Sequence, residues 1–255
     1  MTRTDTELDT WRATGLLQTN DFFAGPALVQ LQEWIDSIER SGPESGMSHY
    51  NEVLADGSEV RCRTEDIVPH HPGLRHTLTS GAIAEVAGAL LGEPAVLYKE
   101  KINYKLPGAA GFAPHQDAPA YPLATETISC MIAVDDMTAD NGCLEVVRSA
   151  HQKLLPTDDA GCVAQEVAKA MHWEPLPVKA GSILWFHWFT PHRSSSNRSD
   201  QRRRAMYVTY NRASDGDLRA AYYHKKNDLL DPGSGRLSLI GHFQGHAHPI
   251  EDDSV

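Results

Sequence analysis

His115 and Asp117 stand two apart in the stretch Pro114-His115-Gln116-Asp117. On an extended segment, residues i and i+2 project to the same side. An imidazole and a carboxylate therefore leave one face together and can grip one ion. A third ligand has to come from elsewhere, and His192 offers it, in the run Trp185-Phe186-His187-Trp188-Phe189-Thr190-Pro191-His192-Arg193-Ser194. His187, inside the apolar part of that run, is the competing histidine. Two histidines and one carboxylate, with the opposite positions open, suit a non-haem Fe(II) centre. Beyond Ser194 comes Arg202-Arg203-Arg204, which opens the strand-like run Ala205-Met206-Tyr207-Val208-Thr209-Tyr210. A cation eleven residues past the last ligand, on the neighbouring strand, is placed to clamp the distal carboxylate of a bound 2-oxo acid. The planar fork of arginine meets a carboxylate bidentately.

Strands must carry these residues. Ala95 to Lys105 reads as one, with Lys99, Lys101, Asn103 and Lys105 in line on one face and Tyr98, Glu100, Ile102 and Tyr104 on the other. Arg61, Arg63 and Glu65 share a face of an earlier extended stretch. Further strands are expected over 127–134, 143–147, 174–178 and 182–188, with turns at 135–142 and 179–181. Helices are expected over 6–14 and 26–40, over 74–91 in two pieces around Gly81, and over 165–171 and 218–227. Within 26–40, Leu28, Leu31, Trp34, Ile35 and Ile38 form the apolar stripe of an amphipathic packing helix. Residues 42–57, rich in Gly, Ser and Asn, read as a surface loop. His242, His246 and His248 sit among Gly, Pro and acidic residues, and this tail reads as structural or disordered rather than as a second metal site. The pattern as a whole is mainly β with flanking helices: a double-sheet jelly roll over 95–212, a helical part over 1–94, and a C-terminal helix and tail over 213–255, in one domain.

Three motifs taken together resemble the phytanoyl-CoA dioxygenase family of Fe(II)/2-oxoglutarate oxygenases, which includes ectoine hydroxylase. They are Ile102-Asn103-Tyr104-Lys105-Leu106-Pro107-Gly108 ahead of His115-Gln116-Asp117, then Asp140-Asn141-Gly142-Cys143-Leu144, then His192-x-Ser194 with Arg203. The likeness starts near Trp11 and runs to about Arg212. It departs at Val147-Arg148-Ser149-Ala150-His151, where the family has a small residue and Gly before Ser-His, and at Met131, where relatives often carry Trp in the 2-oxoglutarate pocket. The resemblance implies a cupin-like double-stranded β-helix holding Fe(II) through His115, Asp117 and His192. It also implies 2-oxoglutarate as co-substrate on Arg203, Ser194, Asn103, Lys99 and Met131, O2 as oxidant, and a substrate facing Lys101 and Arg63. A carboxylate at Asp117, where related halogenases have a small residue, implies hydroxylation. A cupin-like metalloprotein acting as an isomerase or binding protein would not need Arg203, and a scaffold that had lost its iron would not keep the three ligands.

Composition narrows the classes. The 255 residues carry a formal net charge of −11, are 41% hydrophobic and 22% charged, and contain four cysteines without a C-x-x-C pair. Such charge disfavours nucleic acid and anionic membranes as partners. No apolar run approaches a membrane span, and the first residues lack a signal-peptide layout. Buried thiols in a reducing cytoplasm are the natural reading. The expected partner is a small-molecule substrate, handled by a monomer or homodimer. Cations along the 95–105 strand, in an otherwise acidic chain, point to a substrate with an anionic group.

Overall fold

In the computed structural model, which describes residues 4–229 and 236–250, an eight-stranded antiparallel sheet lies between a layer of helices and a smaller four-stranded sheet. Helix α1 (Asp5–Thr14) starts on a capping box between Thr4 and Glu7 and ends at Gly15 in the left-handed conformation (φ 70°). It leads into β1 (Leu16–Thr19). Helix α2 (Pro26–Arg40) opens with Pro at its first turn and buries Leu31, Ile35 and Ile38, as the apolar spacing requires. Strands β2 (Ser48–Val53) and β3 (Glu59–Glu65) follow. β2 replaces the loop expected over 42–57; it pairs with β3 on one side and with the C-terminal strand on the other. That pairing is long-range and leaves no local apolar alternation to read.

Helices α3 (Pro72–Thr79) and α4 (Ala82–Leu91), broken at Gly81, precede β4 (Ala95–Lys105). Then come β5 (Phe112–His115), β6 (Thr127–Ala133), β7 (Leu144–Val146), α5 (Gln165–Lys169), β8 (Glu174–Leu176), β9 (Ile183–His187), β10 (His192–Ser194), β11 (Arg203–Arg212), α6 (Arg219–Leu229) and β12 (Ala247–Pro249). The large sheet runs β1-β9-β6-β11-β4-β3-β2-β12 and the small one β5-β10-β7-β8.

Strand periodicity decides what faces the space between the sheets. On β6, Ile128, Cys130 and Ile132 pack toward the helices, while Met131 and Ala133 join the core between the sheets. On β11, Met206, Val208 and Tyr210 pack outward and Ala205 and Tyr207 inward. The expected domain parts interleave, because β2, β3 and β12, from before and after the jelly-roll stretch, extend the same sheet as β4. Among the described residues no helix is long and apolar enough to cross a membrane, and all four cysteines are buried and unpaired.

Candidate active site

The metal-ligating set assembles on the small sheet and the turn that follows β5. β5 and β10 are antiparallel neighbours with His115 opposite His192, so the two rings lie 4.0 Å apart. Strand β5 stops at His115; Asp117 already has helical backbone angles (φ −73°, ψ −27°) and begins a one-turn 3-10 helix. The same-face argument for an extended segment thus holds only in outcome: the turn swings Asp117 back toward the histidines. Gln116 points the other way and pins the loop, donating to the carbonyls of Lys153 (3.0 Å) and Phe189 (2.5 Å) and accepting from the Leu155 amide (2.7 Å). Ligand atoms of His115, Asp117 and His192 all fall within 4.8 Å of one another, and all three residues are buried. His187 lies apart, with its Nε2 3.1 Å from Glu126, and is no ligand.

The donor set is prepared for a cation. His115 Nδ1 donates to the Ala113 carbonyl (2.7 Å) and His192 Nδ1 to the Thr190 carbonyl (3.0 Å). Carbonyls only accept, so each Nδ1 carries the hydrogen and each Nε2 keeps its lone pair for a metal. Burial, and then His192 beside it, push His115 well below the ordinary imidazole range, which keeps it neutral. Burial alone would raise Asp117, but His192, His115, Lys101 and Lys99 outweigh it and hold the carboxylate below its usual range. Ser129 on β6 donates to Asp117 Oδ2 (2.9 Å), Oδ1 faces His192 Nε2 at 3.9 Å, and Thr209 on β11 lies 3.0 Å from the Ser129 hydroxyl.

A second cluster lies at the far end of β11. Arg203 faces inward and is 1% exposed. Its Nη2 donates to the Gly142 carbonyl (2.6 Å), while Nε and Nη1 are buried and have no hydrogen-bond partner among the described residues. Unpaired buried guanidinium N–H groups are costly, and a carboxylate would satisfy both. Ser194 stands beside this cluster through Lys105, the cross-strand neighbour of Arg203, whose Nζ donates to Ser194 Oγ (2.9 Å) and the Ser195 carbonyl (2.5 Å). Gly142 explains the Asn-Gly motif. Its φ is +76°, and a Cβ there would run into the Ser195 carbonyl and come within 3.0 Å of Lys105 Nζ. Asn141 shapes the turn by accepting from the Thr138 amide and donating to the Asp136 carbonyl.

Between the clusters lies a narrow cavity lined by Lys101, Asn103, Tyr207, Ser129, Thr209 and His242 along with the three ligands. Lys101 Nζ sits 5.5 Å over the Tyr207 ring. Burial, then the charges of Lys99 and Arg63, pull it well below the ordinary lysine range. Asn103 Oδ1 accepts from Arg63 Nε (3.0 Å), which turns its amide nitrogen toward the cavity. Arg63 itself does not line the cavity. Its Nη1 holds the Leu237 carbonyl (2.8 Å), Ser238 Oγ (3.0 Å) and Glu65 (3.1 Å), so it orients Asn103 and fastens the C-terminal segment. Lys99 is also set back, 5.0 and 5.2 Å from the rings of Tyr121 and Tyr222, and burial lowers it to about 8. Six residues along a strand span about 20 Å, so Lys99 belongs to the iron end and is too far from Lys105 to share the Arg203 cluster. Met131 is fully buried, cross-strand from Tyr207.

Sequence reasoning left Lys105, Ser129, Tyr207, Thr209 and His242 unassigned. Strand parity could have found four of them, since Ser129 shares the face of Met131, and Tyr207 and Thr209 that of Arg203. His242 carried no local signal, and its tail is ordered against the site.

A jelly roll that holds iron ligands at one end of a cavity and an open guanidinium at the other defines a non-haem Fe(II)- and 2-oxoglutarate-dependent dioxygenase. The profile of the family described as "Phytanoyl-CoA dioxygenase (PhyH)" matches residues 11–205, and the chain belongs to that family. It is 44% identical over 254 residues to a methylphosphonate hydroxylase of Gimesia maris, covering 96% of each chain. It is 33% identical to a 2-aminoethylphosphonate dioxygenase of an uncultured bacterium, covering 89% of this chain and 88% of the relative. Among solved structures, the ectoine enzyme EctD from S. alaskensis with 2-oxoglutarate and 5-hydroxyectoine has a TM-score of 0.72 at 18% identity, over 84% of this chain and 77% of that one, and supports the fold. The protein hydroxylates a C–H bond of a small molecule, using Fe(II), 2-oxoglutarate and O2.

Proposed function

We propose that the substrate is a small alkylphosphonate, methylphosphonate first, hydroxylated at the carbon bonded to phosphorus. One observation carries this reading: the inner face of β4 holds two separate cationic centres, Lys105 with Arg203 at one end and Lys101 with Asn103 further along. Lys101 and Lys105 are four residues, or about 13 Å, apart along the strand, so one centre serves the distal carboxylate of 2-oxoglutarate and the other a second anion. Both relatives above are named for phosphonates.

In this reading His115, Asp117 and His192 hold Fe(II). Arg203, Ser194 and Lys105 take the distal carboxylate, Met131 backs that pocket, and the two N–H groups of the Asn103 amide serve co-substrate and substrate where they meet. Lys101 meets the substrate, while Lys99 and Arg63 sustain the positive potential from behind. Iron and 2-oxoglutarate supply the oxidising power to break an unactivated C–H bond. The chain fixes the angle of approach and excludes water through the buried walls on both sheets. The balance is methylphosphonate, 2-oxoglutarate and O2 giving hydroxymethylphosphonate, succinate and CO2. We place the enzyme in the cytoplasm, in keeping with its unpaired buried cysteines. It would act as a monomer or homodimer without nucleic-acid or membrane partners, in keeping with its net charge of −11.

The test is succinate release over a panel of methyl-, ethyl- and 2-aminoethylphosphonate, with products followed by phosphorus NMR. Stoichiometric hydroxymethylphosphonate supports the reading. Consumption of 2-oxoglutarate that no phosphonate stimulates overturns it.

A further inference from the structure

We propose that His242 is a specificity-determining residue, whose Nε2 accepts the hydroxyl of a singly protonated phosphonate while Lys101 and the Asn103 amide donate to its other oxygens. This rests on the phosphonate reading. The residue comes from a segment beyond the 11–205 stretch that the family profile covers. Four hydrogen bonds lay that segment across the cavity: Arg63 Nη1 to the Leu237 carbonyl (2.8 Å), Ala113 N to the His242 carbonyl (2.7 Å), Gln244 N to the Gly111 carbonyl (3.1 Å) and Val53 N to the His246 carbonyl (3.0 Å). β12 then pairs with β2.

His242 is 3% exposed and lines the same cavity as Lys101 and Asn103. Its ring packs 4.2 Å from His115 and 5.2 Å from Phe112. It stands outside the metal-ligand trio. Nδ1 donates to the Ile240 carbonyl (2.9 Å), so Nε2 carries the lone pair, and no described residue hydrogen-bonds to it. The wall therefore offers donors at Lys101 and Asn103 and an acceptor at His242. A phosphonate monoanion presents the complement, two acceptor oxygens and one O–H. A carboxylate presents acceptors only and would leave Nε2 unmatched, the kind of loss that polar pockets discriminate against strongly.

The test uses the iron-loaded enzyme with 2-oxoglutarate under anaerobic conditions, with methylphosphonate binding measured by calorimetry, and kcat and KM measured separately by succinate release. His242→Phe keeps the ring packing on His115 and Phe112 and removes the acceptor. His242→Gln restores an acceptor and is the second variant should Phe destabilise the fold. The expected result is methylphosphonate affinity lower by about tenfold in His242→Phe, recovery in His242→Gln to within roughly threefold of wild type, and unchanged 2-oxoglutarate affinity. Wild-type binding of methylphosphonate that His242→Phe retains in full overturns the inference and leaves the function standing. Parallel loss of 2-oxoglutarate binding in both variants reveals a structural role and also overturns it. A wild type that neither binds nor turns over any alkylphosphonate overturns the functional reading, and this inference with it.

Discussion

Arg203→Ala should weaken 2-oxoglutarate binding by about ten- to a hundredfold and leave substrate affinity nearly unchanged. Arg203 is buried, one of its N–H groups is spent on the Gly142 carbonyl, and Nε and Nη1 have no partner among the described residues. A carboxylate settling on them makes charged hydrogen bonds worth about 1.5–3 kcal/mol, the equivalent of roughly ten- to 150-fold in affinity. Lys105, already on Ser194, stays behind in the variant and cushions the loss, which favours the lower part of that range. Calorimetry should give the dissociation constant directly, because KM equals it only when chemistry is slow. The two neighbours are controls. Arg202 is 46% exposed on Asp36 and Glu39, so Arg202→Ala should be nearly silent. Arg204 points to the opposite side, bonded twice to Asp135 and also to Asp36. Arg204→Ala should cost stability, about 2–3 kcal/mol given partners that are partly in water, with 2-oxoglutarate affinity intact. An Arg203→Ala enzyme whose 2-oxoglutarate affinity is within about twofold of wild type, against that charged-bond figure, would refute the reasoning. So would Arg204→Ala carrying the affinity defect, since the strand would then face the other way.

Replacing His115, Asp117 or His192 by Ala should abolish iron binding, measured by metal analysis, and turnover with it, while His187→Ala keeps both. Ser129→Ala strips the hydrogen bond from Asp117 Oδ2 and should lower iron affinity by about ten- to a hundredfold in a metal titration. Acid stability should depend on Glu65, where burial alone would raise the carboxyl but Lys226 and Arg63 outweigh it and hold it at about 2. Its folded-state value is lowered, so its contribution is present above the unfolded value near 4.5 and is lost as pH falls from there toward 2. Glu65→Gln should flatten acid unfolding in that window, followed by circular dichroism; an unchanged pH profile would contradict the assignment.

Much of the positioning was legible because it followed from periodicity. Helix α2 begins and ends where its apolar spacing and Pro26 place it, and β4 spans the run read from its alternation. The eleven-residue gap from His192 singled out Arg203 among three consecutive arginines, and it is the one of the three whose side chain faces inward between the sheets, while Arg204 reaches out to Asp135. The readings that failed were those that long-range pairing decides. β2 is a strand because β3 and β12 flank it, in a stretch whose Gly, Ser and Asn content says loop. Asp117 reaches the metal site through a turn, and only its partners Trp188 and Ser129 disclose that. The histidine tail looked unfixed because the groups that fix it, Arg63, Ala113 and Gly111, lie more than a hundred residues earlier.

The oddity of β4, a central strand with a row of lysines on its inner face, has a physical explanation in charge balance. Lys99, Lys101, Lys105, Arg63, Arg203 and Lys226 are all buried around the cavity, against the buried carboxylates Glu52, Glu65 and Asp117. Glu65 is committed to Lys226 and Arg63, and Asp117 faces His115 and His192 in the candidate metal site. Left alone, such an excess of buried cations would be severely destabilising. The fold limits the cost in two ways: burial drives Lys101 and Lys105 well below the ordinary lysine range, so they can shed protons, and aromatic rings face Lys99 and Lys101. A lysine held in that condition recovers its charge most favourably when an anion arrives. In the proposed reading, the same row that would weaken the fold on its own becomes two anion sites, and its spacing along one strand would set the distance between co-substrate and substrate.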